Sequence, residues 1–151
     1  MLGNYILVFI LGGLPISEIR GAIIYGLGAN LNIPLTFLLG AIGNMLAVPL
    51  IFFALDRLKL IRLAKKLFGR RAYATIEKNK ARLDRWGELA LLMFLAIPLP
   101  ITGAWMGSLI ASMLEMDKKK SFVVISLGII IAGLITLGVG QGVLMGLTSL
   151  L

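Results

Sequence analysis

The sequence predicts an all-α integral membrane protein. It reads as two inverted repeats, each a re-entrant helical hairpin plus a transmembrane helix, joined by basic amphipathic helices into one membrane domain over residues 1–151. Three observations carry this. The chain is 59% hydrophobic and 15% charged, where a soluble domain has about a quarter of its residues charged. The charges are segregated, so that windows 1–17, 21–55, 89–114 and 121–151 contain no Asp, Glu, Lys or Arg. Two of these windows hold an uninterrupted apolar run of ~18 residues or more, long enough to span a bilayer, and two are broken by proline and glycine.

Repeat 1 occupies residues 1–55. Its opening "MLGNYILVFILGGLP" has no basic n-region and no small-residue cleavage pattern, so it is expected to be retained structure. The apolar run breaks at "GGLPISEIRG", and each flanking arm has roughly a dozen residues, about 18 Å of helix. That is too short for a hydrocarbon core of ~30 Å. The window 2–30 therefore reads as a hairpin that enters and leaves on one side, a single kinked span being the alternative. Irregular backbone at depth must line a cavity or be buried in protein. Pro15 and Gly21 shape the tip, and Ser17 is the expected N-cap of the returning arm. Glu18 and Arg20 are the only charges before Asp56. A charge in a membrane segment costs ~3 kcal/mol or more, so a functional role is the default. Residues two apart on a helix do not face each other, so any pairing of Glu18 or Arg20 would involve another segment or a bend. The transmembrane helix 33–55 follows, with Pro34 in its first turn, Pro49 as a kink and Asn44 near its centre.

The linker 56–88 carries eleven of the fifteen basic residues. Over 57–71, Leu60, Ile61, Ala64, Leu67 and Phe68 fall on one helical face and Lys59, Arg62, Lys65, Lys66 and Arg70 on the other. Residues 73–86 repeat the pattern with Tyr73, Ile76, Leu83 and Trp86. Such helices lie in the headgroup plane, and their charge places the linker on the cytoplasmic side.

Repeat 2 occupies 89–151. Hairpin 89–114 breaks at "IPLPITG", where Pro98 and Pro100 stop the helix, Thr102 is the expected N-cap, and Gly103 and Gly107 allow close approach of another segment. Trp105 is an interfacial anchor if the hairpin is shallow and lines a cavity if it is deep. The loop 115–120 carries three lysines and is also cytoplasmic. The second span is 121–147, with Ser121 as its N-cap and Gly138, Gly142 and Gly146 as a small-residue stripe suited to helix packing. The second unit is thus upside down relative to the first, the plan of secondary transporters whose sites lie at the midplane where broken helices meet. Two returning arms would point their N-termini at each other there, an arrangement that favours an anion, with Arg20 adding positive charge.

Cysteine and histidine are absent, which excludes disulfides, thiolate chemistry and Ser-His or Cys-His catalysis. No enzyme activity, metal site or cofactor is expected. The net charge of +8 is explained by membrane orientation, and no nucleic-acid partner is expected. Glu18, Arg20, Ser17, Asn44, Thr102 and Trp105 are the candidate substrate- or ion-binding residues. Pro15, Gly21, Pro98, Pro100 and Gly103 are the candidate hairpin-shaping residues.

"LPISEIRGAIIYGLG", the Gly43-Asn44 pair and "AIPLPITGAWMGSLIA" together resemble the small multidrug export family of prokaryotic membrane proteins, which is similar in turn to the DedA-like superfamily with its paired re-entrant hairpins. The match runs in order over nearly the whole chain. Two departures stand out: Ile24 replaces a usual proline, and no arginine occurs between Glu88 and Lys118. The resemblance implies transport across the cytoplasmic membrane, coupled to an ion (H+ or Na+), with an anionic lipid such as polyprenyl phosphate as cargo. A small-molecule exporter and a non-transporting scaffold or partner subunit are the alternatives. Membrane lipids and further copies of the chain are the expected partners, because a chain with two full spans needs a second copy to shield its hairpins.

Overall fold

The structure, a computed structural model, describes residues 2–57, 80–97 and 103–149. Among these residues there are six helices and no strands: α1 (Leu2–Gly13), α2 (Glu18–Gly28), α3 (Ile33–Arg57), α4 (Lys80–Ala96), α5 (Ala104–Met113) and α6 (Lys118–Thr148). The described chain is all-helical, as expected. Two helices are long and apolar enough to cross a membrane: α3, and α6 over Lys118–Val143. The first expected amphipathic helix, 57–71, lies outside the described residues apart from Arg57 at the end of α3, and the second, 73–86, does so up to residue 79, its remainder forming the start of α4.

Helix boundaries follow local chemistry. Asn32 starts α3, its Oδ1 accepting from Leu35 N–H at 3.0 Å, so the free N–H groups of the first turn find an oxygen. Pro34 sits in that first turn, and Pro49 lies inside α3 without ending it. The cap of α6 corrects an expectation. Asp117, not Ser121, is the capping residue, with its Oδ1 accepting from Lys120 N–H at 2.9 Å. Ser121 is buried inside the helix. The first arm of the second hairpin also begins earlier than residue 89. Helix α4 starts at Lys80, because the charged stretch 80–88 can be helical, and a change in polarity is not a helix boundary.

Glycines fix how the helices pack. Helices α1 and α3 run in the same direction: Tyr5 Oη accepts from Asn32 N–H at 3.2 Å, and further along Gly12 lies on Gly40 and Gly13 on Gly43. A Cβ on Gly12 would strike the Gly40 carbonyl, and one on Gly43 would strike the Phe9 carbonyl. This is backbone against backbone, which only glycine permits. Helix α2 returns antiparallel to α3, with Gly26 on Thr36 and Ala22 on Gly40. Helix α6 is antiparallel to α3. Lys118 at its start pairs with Asp56 at the end of α3, and at the other end Gln141 and Met145 share a cleft with Leu27 and Ile33.

These registers set the depth of both breaks. Gly43 and Gly128 each lie about ten residues, or ~15 Å, into their helices. Gly13, where α1 ends, rests on Gly43, and Leu95, where α4 ends, rests on Gly128. The two breaks therefore reach about halfway along the two long helices, from opposite ends. The core between them is closed by Ile19, Ile23, Val48, Leu95, Ile125 and Ile129, all buried. The helices that pack together are α1 with α2 and α3, α2 with α3 and α6, α3 with α5 and α6, α4 with α5 and α6, and α5 with α6.

Candidate functional site

The two breaks meet each other. Residue 18 opens α2 with a left-handed backbone (φ 52°), a conformation that costs a non-glycine residue about 1–2 kcal/mol. The bend turns the Glu18 side chain inward, where it is 1% exposed. Its Oε1 accepts from Gly103 N–H at 3.0 Å, and Gly103 is the N-cap residue of α5. The acceptor that meets the α5 N-terminus is thus the Glu18 carboxyl group, supplied from the start of α2. A Cβ on Gly103 would land on the Glu18 carboxyl group, so glycine is required there for close approach. The bend also answers the pairing question. Arg20 Nη1 lies 3.8 Å from Glu18 Oε2, a pair that a regular helix would not allow.

Two further bonds join the breaks. Trp105 Nε1 donates to the Gly13 carbonyl at 3.1 Å, and Arg20 Nη2 donates to the Ile97 carbonyl at 3.4 Å. Gly13 ends α1 and Ile97 follows α4, so both carbonyls belong to the unsatisfied set at a helix C-terminus.

Several expected site residues take other roles. Ser17 is not a side-chain cap: its backbone is helical and its hydroxyl makes no capping bond. Instead Ser17 Oγ donates to the Leu11 carbonyl at 2.5 Å, closing the end of α1. It is close enough to Gly21 that a Cβ there would meet it at 2.5 Å, which accounts for glycine at 21. Pro15 lies in the turn between α1 and α2. Pro98, Pro100 and Thr102 lie outside the described residues. Asn44 is fully buried, and neither its Oδ1 nor its Nδ2 has a hydrogen-bond partner among the described residues. One turn beyond Gly40, whose neighbours are Ala22 and Ile19, it sits at the level of residue 18. Among the described residues no group of His, Cys, Asp or Glu could hold a metal ion.

Sequence reasoning missed the cavity beside the breaks. It measures about 680 Å³ and is lined by α1, α3 and α5, with Phe9, Leu46, Leu50, Trp105, Met106 and Leu109 among its walls. Trp105 forms one wall and is 37% exposed. The sequence signal that could have found the cavity was the short side chains of Gly13, Gly43, Ala47 and Ala54 opposite bulky α5 residues. Such signals are weak, because small residues are common throughout membrane helices.

No curated protein and no solved structure matches the chain. A family model does, over residues 18–135, from Glu18 through most of α6. The match begins where the first break ends, runs across the second, and covers well over half the sequence, and the two long apolar helices agree with it. This membrane protein belongs to the family described as "Putative small multi-drug export protein".

Proposed function

We propose that the chain is an ion-coupled exporter of small amphipathic molecules. Glu18 is the coupling carboxylate, and the cavity between α1, α3 and α5 is the cargo site. One observation carries this: a buried acid caps the opposite hairpin halfway along both long helices. A buried charge that served packing alone is better replaced by an apolar residue, so its presence at the meeting of two broken helices favours a transport role. The apolar cavity walls suit a lipophilic cargo.

The same reading holds the breaks to be tips of re-entrant hairpins in an inverted repeat akin to DedA-like proteins. The set of packed helix pairs is unchanged when α1, α2 and α3 are exchanged with α4, α5 and α6, and antiparallel α3 and α6 fit that inversion. The pairs Lys118–Asp56 and Lys120–Glu88 bring the two basic segments to one end, in keeping with 56–88 and 115–120 both being cytoplasmic. A homo-oligomer would cover the open face of α6, where a Cβ on Gly138, Gly142 or Gly146 meets nothing within 4 Å.

Proteoliposomes loaded with a fluorescent lipophilic dye test the function. Dye efflux driven by an imposed pH or Na+ gradient, and lost in Glu18→Gln, is the expected result. Efflux equal in both proteins removes Glu18 from the mechanism. An anionic lipid is the second reading, favoured by Arg20 beside a helix N-terminus. It requires the lipid phosphate to displace Glu18 from Gly103, and gradient-dependent flipping of a fluorescent polyprenyl phosphate would select it.

A further inference from the structure

We infer that Trp105 is the positioning residue through which cargo in the cavity and the charge on Glu18 act on each other, because Trp105 and Gly103 form one turn that the first hairpin grips at two points. The inference rests on the export reading above. Gly103 N–H is held by Glu18 and Trp105 Nε1 holds Gly13 O. Both bonds run from the start of α5 to the same break, and the two residues are separated by Ala104 alone, which is fully buried. A short helical turn packed through its central residue moves as a unit.

The cavity shares that turn. One wall is α1 through Phe9, Ile10 and Gly13, and the facing wall is α5 through Trp105, Met106 and Leu109. The grip that ties the start of α5 to the first break therefore also sets the spacing of the cavity walls. With Glu18 charged, its bond to Gly103 is of the strong charge-assisted kind, and the walls are held apart and ready for cargo. Neutralising Glu18, by a proton or by substitution, weakens that bond, loosens the α5 wall and lowers the affinity for cargo, since a preformed site binds more tightly than one that must be ordered. Linkage makes the effect reciprocal, so cargo and neutral Glu18 oppose each other by the same factor. Mutual exclusion of this kind is what exchange of an outgoing cargo for an incoming proton requires.

Few other groups can intervene. Arg20 on α2 is the ionisable side chain facing Glu18. The described ionisable residues of α1, α3 and α6 are Tyr5, Asp56, Arg57 and Lys118 to Lys120, all at the outer ends of their helices, and α5 has none.

The test uses the full chain in nanodiscs and 1-bromonaphthalene as an uncharged probe, with binding measured by equilibrium dialysis. The protein Ala54→Phe, which fills the cavity, is the blank for partition into lipid. Glu18→Gln is expected to weaken cavity binding by at least about fivefold. In a Trp105→Phe background, which keeps the ring and removes the N–H, the same Glu18→Gln change is expected to alter binding by less than about twofold. A pH series on native protein gives the same comparison without touching Glu18: binding weakens as pH falls in the native chain and stays level in Trp105→Phe. An equal effect of Glu18→Gln in both backgrounds, or none in either, overturns the role of Trp105 while leaving the cargo site standing. Native protein that binds no more probe than the Ala54→Phe blank overturns the cargo site and this inference together.

Discussion

Replacing Gly103 by alanine probes the contact on which the site depends. Space is the obstacle, because the new Cβ lands on the Glu18 carboxyl group. Backbone on one side and a buried acid on the other leave little freedom to yield. The carboxylate must leave the N–H that caps α5, and a hydrogen bond to a charged group contributes about 1.5–3 kcal/mol. For a chain of this size each kcal/mol shifts Tm by about 2–4 °C, so the expected fall is about 3–12 °C. Gly107→Ala is the control on the same helix. Its Cβ would sit 3.0 and 3.2 Å from the Leu95 methyls and 3.3 Å from Ile125, which are flexible side-chain ends. A change within about 1 kcal/mol is expected there. Thermal unfolding of the purified proteins, followed by helical circular dichroism, measures both. The double variant Gly103→Ala with Glu18→Ala should be less destabilised than the sum of its parts, because removing the carboxyl makes room for the methyl. A Gly103→Ala protein as stable as Gly107→Ala, or strict additivity in the double variant, would refute the steric account of the site.

Three further outcomes are expected. Gly43→Ala and Gly12→Ala should destabilise strongly, because each Cβ meets a carbonyl of the facing helix, whereas Gly138→Ala meets nothing within 4 Å and should stay within about 1 kcal/mol of native, gaining helix propensity; comparable Tm losses for all three would contradict the α1–α3 packing. Asn44→Leu should raise stability by about 1 kcal/mol, because a buried amide without hydrogen bonds is itself destabilising, while dye efflux falls; a lower Tm would mean that the amide is satisfied in the membrane. Since the native chain has no cysteine, single cysteines at Asn4 and Asn30 should react with an impermeant thiol reagent from the same side of intact vesicles, and one at Ile16 should react poorly although its side chain is 83% exposed on the protein surface, because lipid covers it. Opposite-side labelling of Asn4 and Asn30 would exclude the re-entrant hairpin.

Much of the architecture could be read from residue order alone. Runs without charge set the two long helices, because a membrane admits no other way to satisfy so many backbone groups. Prolines and glycines at 12–15 and 97–103 marked the breaks, because proline removes a helical hydrogen bond wherever it stands. Glu18 and Arg20 stood out because charge is rare in such segments. The cap residues were less legible. Ser17 and Ser121 have the right side chains for capping, but the hydroxyl of Ser17 reaches Leu11 and Ser121 is inside α6, while Asn32 and Asp117 take the capping bonds of α3 and α6. A propensity shared by four residue types cannot choose among neighbours.

What the sequence by itself determined is the two long helices, the breaks and the rarity of an acid such as Glu18, all of which depend on local composition and the chain's own backbone. Only the tertiary structure decided what that acid does. Glu18 and Gly103 are 85 positions apart, and no periodicity within α2 or α5 encodes that the start of one supplies the cap of the other. The same holds for Trp105 and Gly13 and for the cavity between α1, α3 and α5. These follow from glycine contacts that let backbones approach to a depth set by helix register, and register between distant segments is a property of the packed molecule.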